Sequence, residues 1–290
     1  MSDAPLRSQS EPCPPAVSPG QRLLKTTHPN KLWPTTLGLA LALALAPQAR
    51  AAVVSTLSDS GAGSLRSAIT NLNATGPGTI TFSVTGVITL ASDLPALTVP
   101  VTITGPGTNL LTLSGSNSFR LFRLAANTTN HIGGLKLANG YTANNNSGAA
   151  IYNLGYTVMT NCLLVSNTVV GGFGGAVANF GTGTLLATNC TFANNSVSGG
   201  NGNNAPLGAT GGCGGGGAGM GGAVYTEGAA LTISGCTFQS NVAAGGKGGD
   251  FPNTSSGNCG GGDGGFPNPG GAGSCGQEGG CNARTGCEVQ

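Results

Sequence analysis

Charge is what this chain has least of. Asp, Glu, Lys and Arg together make up 7% of its residues, against about 25% in an ordinary soluble domain. From Ala52 onward there are only Arg66, Arg120, Arg123, Lys136, Lys247 and Arg284, against Asp59, Asp93, Glu227, Asp250, Asp263, Glu278 and Glu288. No basic patch exists to neutralise phosphates, so a nucleic-acid partner is not expected. Carboxylates are too sparse for the paired acid and base of a glycoside hydrolase. In the repeat region the acids are Asp93 and Glu227, set far apart along the chain. Histidine is confined to His28 and His131, and a lone His131 beside Ile132-Gly-Gly reads as a turn or surface residue. The nine cysteines include no C-x-x-C pair, which argues against zinc. There is no Gly-x-Ser-x-Gly elbow, and Gly214–Gly217 lacks the Gly-Lys-Ser/Thr end of a phosphate loop. Gly245-Gly-Lys-Gly-Gly-Asp250 opens like a calcium nonapeptide, but no stacked copy follows it. No residue is nominated as catalytic, cofactor-binding or metal-binding.

No apolar run is long enough to span a bilayer. The longest, Leu37 to Ala46, follows Arg22, Lys25 and Lys31 and precedes Pro47 and Ala49-Arg50-Ala51. That order is a secretory leader with cleavage before Ala52. Residues 1–51 are therefore expected to be a signal peptide with an extended n-region. The protein is expected outside the cytoplasm, secreted or at the cell surface or outer membrane, with no membrane-spanning segment beyond the leader.

What the chain has in abundance is glycine, 53 residues, and repetition. Gly148-Ala-Ala-Ile-Tyr-Asn153 leads to Asn161-Cys-Leu-Leu-Val-Ser-Asn167. Gly174-Gly-Ala-Val-Ala-Asn179 leads to Asn189-Cys-Thr-Phe-Ala-Asn-Asn195. Gly221-Gly-Ala-Val-Tyr-Thr226 leads to Gly235-Cys-Thr-Phe-Gln-Ser-Asn241. A unit of roughly 25 residues recurring in tandem marks a solenoid. Within and before the repeats the apolar residues alternate, as in Ile80/Phe82/Val84, Leu97/Val99, Val101/Ile103, Leu111/Leu113 and Leu135/Leu137. These are short strands separated by Gly, Asn and Pro turns.

The fold class read from this is all-β, a right-handed parallel β-helix with an N-terminal capping helix. Three strands are expected per coil. Equivalent side chains are expected to stack inward as Ile151/Val177/Val224, Leu164/Phe192/Phe238 and Cys162/Cys190/Cys236, with Asn167, Asn195 and Asn241 in an amide ladder. The cysteine stack reads as core packing, with inter-coil disulfides as the alternative. Residues 52–78 are expected to form the cap. Leu65, Ala68, Ile69 and Leu72 share a helix face behind the N-cap candidate Ser64, and Gly76-Pro77-Gly78 ends the helix. The β-helix is expected over 79–250, interrupted by a glycine-rich loop at 201–219. That loop accounts for the longer spacing of the last two repeats. Residues 251–290 read as a Gly/Cys-rich tail, disordered or truncated.

Asp59-Ser-Gly-Ala-Gly-Ser-Leu-Arg-Ser-Ala-Ile69, Thr79-Ile-Thr-Phe82 and Val101-Thr-Ile-Thr-Gly-Pro-Gly107 resemble the start of secreted bacterial parallel β-helix proteins. The Gly-Gly-Ala-Val and Cys-Thr-Phe-x-x-Asn repeats are similar to the polymorphic outer-membrane protein repeat of bacterial surface proteins, over about residues 55 to 250. The resemblance implies the pectin-lyase-like fold and a surface or secreted protein, often adhesive. The barrel or sorting signal that usually ends such proteins has no counterpart here, so anchoring is not carried over.

The expected function is non-catalytic binding or display, with a glycan or protein ligand on the solenoid face and no cofactor. The alternatives are a polysaccharide-acting enzyme of the same fold, for which Arg120 and Arg123 lack an accompanying carboxylate, and a truncated structural remnant. Expression in a secreting host should give a product whose N-terminal sequencing starts at Ala52. A secreted product that retains residues 1–51 contradicts the leader assignment.

Overall fold

The β-branched stretches become short strands, because alternate positions can bury an apolar side chain while the others face water. The computed structural model describes residues 50–144, 146–203 and 216–248. The leader up to Ala49, the middle of the 201–219 insertion and the tail from Gly249 lie outside the described residues.

The described strands form four sheets. Sheet A runs through Arg50–Val54, Gly78–Phe82, Val101–Thr104, Thr129–Gly133, Tyr156–Thr160, Thr184–Thr188 and Ala230–Ser234. Sheet B takes Gly86–Thr89, Leu111–Ser114, Lys136–Ala138, Leu163–Val165, Thr191–Ala193 and Thr237–Gln239. Sheet C holds Phe122–Leu124, Ile151–Asn153, Val177–Phe180 and Val224–Glu227. Sheet D holds Tyr141–Ala143, Thr168–Val170, Ser196–Ser198 and Val242–Ala244. The strand pairs are parallel, and the chain visits A, B, D and C in turn before returning to A. The described residues form an all-β parallel solenoid with one helix.

A complete coil therefore has four strands, not three. The fourth, in sheet D, follows the ladder asparagine and buries one residue per coil: Val169, Val197 and, partly, Ala243. Three residues with a single inward side chain are too short to show a period of two. Leu97 and Val99 form no strand, since only Leu97 bridges to Leu124.

The corners follow from backbone chemistry. Between sheets A and B the chain turns at Gly134, Asn161, Asn189 and Gly235, and between B and D at Asn139, Ser166, Asn194 and Ser240, all with φ between 51° and 64°. Left-handed φ suits Gly and Asn best.

Inward side chains stack in register, as expected. Ile151, Val177 and Val224 are partners in sheet C. Leu164, Phe192 and Phe238 are partners in sheet B, and the two phenylalanine rings stack 4.8 Å apart at an interplanar angle of 4°. Cys162 and Cys190 are buried, and Cys236, half-buried, accepts the Cys190 N–H through Sγ at 3.3 Å. Hydrogen bonding to Cys162 and burial both push the Cys190 thiol above its ordinary range. All three cysteines are free thiols. Phe238, in the last described coil, is 47% exposed.

Two amide ladders run through the solenoid. Asn167 donates its backbone N–H and its Nδ2 to Asn195 Oδ1 at 3.1 and 2.8 Å, and Asn195 repeats this on Asn241 Oδ1 at 3.0 and 2.9 Å. The second ladder, unexpected from sequence, joins Asn153 Nδ2 to Asn179 Oδ1 at 2.8 Å and Asn179 Nδ2 to Thr226 Oγ1 at 3.2 Å.

Before the coils, Leu65–Thr75 is helical. Ser64 Oγ accepts the Ser67 N–H at 3.1 Å, Gly76 takes φ 114° and returns its N–H to the Leu72 carbonyl, and Leu65, Ala68, Ile69 and Leu72 join the core with Val54 and Ile80. Arg66 forks onto Asp59 at 2.7 and 3.2 Å and also donates to the carbonyls of Ser92 and Asp93. That ties the helix to the next turn and explains the Asp59…Arg66 spacing. The segment before the helix, Arg50–Val54, pairs with Gly78–Phe82 as a strand. The expected cleavage point falls within it.

Asn195→Ala leaves the Asn167 N–H without its acceptor and the Leu164 carbonyl without its side-chain donor. At about 1–3 kcal/mol per unsatisfied buried group, it should cost roughly 2–5 kcal/mol in chemical denaturation. A loss under about 0.5 kcal/mol, the size of an ordinary surface change, contradicts the ladder.

Candidate functional site

Sheet C carries Tyr152, Phe180 and Tyr225. Its outward ladder, read from pairing register, is Arg123, Tyr152, Ala178, Tyr225. Ala178 has no exposed surface although it faces outward, which places the neighbouring rings over it. Phe180 lies 5.6 Å from Tyr152 and 5.5 Å from Tyr225, centroid to centroid. Phe173, from the turn before Gly174, stacks on Tyr225 at 4.7 Å and meets Phe180 edge-on at 6.5 Å. The Phe173 N–H donates to Ser147 Oγ at 3.1 Å, fixing the turn. Tyr225 donates its hydroxyl to Glu227 at 3.1 Å; its partial burial, then that bond, raise it above the ordinary phenol range.

Two guanidinium groups sit on the Tyr152 ring, Arg120 at 5.4 Å and Arg123 at 5.7 Å. They differ in what else they do. Arg120 is half-buried, donating Nε–H to the Gly148 carbonyl and Nη2 to the Ser147 carbonyl, both at 3.0 Å, while its backbone N–H donates to Asp93 Oδ1 at 2.8 Å. Burial lowers its pKa and the Asp93 charge opposes that; a guanidinium titrates so high that it stays protonated. The expectation that Arg120 lacks an accompanying carboxylate is thus corrected. Asp93 is distant in sequence but one coil away in space. Arg123 is exposed, and its side chain makes no hydrogen bond or ion pair with another described residue.

These side chains surround a hollow of about 200 Å³, with Asn146 and Ser147 on its rim. A second hollow, of about 370 Å³, shares Phe173 and is floored by the backbone of Gly171, Gly172, Gly200 and Gly217 beside Asn201 and Ala218. Aromatic faces with a few directed polar groups are what small polar ligands bind. The arrangement offers stacking surface, one uncommitted cation and bare backbone.

The residues weighed from sequence other than Arg120 and Arg123 lie elsewhere or are engaged. His131 is exposed on sheet A between Thr102 and Val158. Asp93 and Glu227 each accept a hydrogen bond from the residues named above. Asp250 lies outside the described residues. Among the described residues no group of three or more His, Cys, Asp or Glu is placed to hold a metal ion, and no helix is long and apolar enough to cross a membrane. Aligning the repeats puts Tyr152, Ala178 and Tyr225 at one outward position, a signal present in the sequence. Arg123 belongs to a coil without the Gly-Gly-Ala motif, and nothing in the sequence points to it.

No protein-family profile matches this chain, and no curated protein matches it.

Arg120→Met keeps the apolar stem and removes the guanidinium bonds. With about 1.5–3 kcal/mol per hydrogen bond to a charged group, it should lower unfolding stability by at least about 2 kcal/mol. Arg123→Met should change stability by no more than about 0.5 kcal/mol. Equal losses for the two variants contradict the division of labour.

Proposed function

We propose that this protein is a secreted or cell-surface right-handed β-helix of the polymorphic outer-membrane repeat kind. It acts by binding and display rather than catalysis, and a glycan stacks on the sheet C face. The helix Leu65–Thr75 closes the solenoid at its first coil. The observation that carries the ligand reading is the cluster of Tyr152, Phe173, Phe180 and Tyr225 on one outward face. The C–H faces of sugar rings pack on such surfaces while their hydroxyls reach polar neighbours, here Asn146, Ser147 and the arginines. Display without catalysis is supported by the engagement of Asp93 with the Arg120 N–H and of Glu227 with the Tyr225 hydroxyl. The secretory reading rests on the leader pattern, and the family reading on the repeated Gly-Gly-Ala-Val and Cys-Thr-Phe-x-x-Asn phrases.

A glycan array probed with the full chain tests this. Tyr152→Ala and Tyr225→Ala should each weaken the hits at least tenfold, about 1.4 kcal/mol. Undiminished binding by both variants removes the aromatic face as the contact.

A further inference from the structure

The two hollows share one lining residue, Phe173. The parts they join come from successive coils: Arg123, then Tyr152 paired beside it, then the turn at Gly171–Phe173, then Gly200, with Gly217 on the return of the insertion. Three coil spacings come to about 14 Å at roughly 4.8 Å each, more than one sugar ring covers.

The glycines of the floor are not alike. A Cβ on Gly172 would collide with the Asn146 carbonyl oxygen. Glycine is required there by close backbone approach. Gly200 is different. Among the described residues a Cβ on it would meet only the Gly171 Cα, at 3.8 Å, an ordinary contact, and its φ is not left-handed. Packing does not require a bare backbone at Gly200, yet its absent side chain leaves the floor of the larger hollow open.

At the other end, Arg123 is the cation of this face left uncommitted by its described neighbours. A planar fork of N–H donors on an aromatic ring is suited to a carboxylate or sulfate group. Among the described residues the larger hollow is lined by no charged side chain.

We propose that the two hollows are one groove along the solenoid axis that takes a linear sugar chain bearing acidic groups, with Arg123 engaging an acidic group and the bare backbone at Gly200 carrying the chain beyond Phe173. This rests on the glycan reading above and specifies its ligand. The ligand is a chain rather than a single sugar, and an acid rather than a neutral glycan.

The test is titration calorimetry of the full chain with four- and eight-sugar oligosaccharides of hyaluronan (carboxylate), carrageenan (sulfate) and chitin (neutral). The longer acidic chains should bind at least tenfold more tightly than neutral ones of equal length, and hyaluronan against carrageenan shows which anion is preferred. Arg123→Met should bring the acidic chains down to the neutral affinity. Gly200→Leu, whose Cβ meets the described residues at an ordinary contact, should erase the gain from four sugars to eight while leaving the thermal midpoint unchanged. Equal binding of acidic and neutral chains by the unaltered protein overturns the acidic ligand and leaves the glycan reading standing. A length gain that survives Gly200→Leu overturns the axial groove. Failure of every chain to bind overturns the glycan reading beneath both.

Discussion

Successive coils of this chain lie one hydrogen-bonded strand spacing apart, parallel and in register, so each residue's neighbour across the sheet is its own equivalent one coil away. Residues 26 to 28 apart in sequence thereby become direct partners. Apolar positions stack into continuous columns, and asparagines, costly to bury alone, become donors and acceptors for one another. With so little charge in the chain, these neutral contacts carry the architecture. The one ion pair among the described residues, Arg66 with Asp59, sits where the helix must be held to the first turns.

The same register builds the outer surface. Strand alternation turns Arg123, Tyr152, Ala178 and Tyr225 outward in one line, and the small side chain of Ala178 leaves room for Phe173 and Phe180 to close the row into a continuous aromatic face. Arg120 is drawn in to hold the Ser147–Gly148 turn beneath that face, with Asp93 at its backbone. Arg120 is thus an anchor, while the side chain of Arg123, three residues on, makes no hydrogen bond or ion pair with another described residue.

Much of this was legible in the sequence, for identifiable reasons. The repeats have three well-marked positions, namely the Gly-Gly-Ala-Val strand, the Cys-x-Phe strand and the asparagine. These defined the sheet C and sheet B columns and the first amide ladder. Ser64, the 65/68/69/72 stripe and Gly76 marked the helix. The fourth strand was hidden because Thr168–Val170 and its equivalents bury one residue each. The second amide ladder was hidden because its third member is Thr226, not Asn. The partnership of Asp93 with Arg120 could not be read, because it depends on coil length in a stretch where the repeats are not yet recognisable. The aromatic face was readable only by asking which way each repeated tyrosine points.

The most direct test of this account is the set of nuclear Overhauser contacts between ring protons in a chain labelled at Phe and Tyr. The stacked register predicts cross-peaks between Phe192 and Phe238, and between Phe173 and Tyr225, whose centroids lie 4.8 and 4.7 Å apart. Both pairs span the insertion, so neither arises from local chain geometry. Absence of both cross-peaks in the folded protein contradicts the stacking of the coils, and with it the aromatic face.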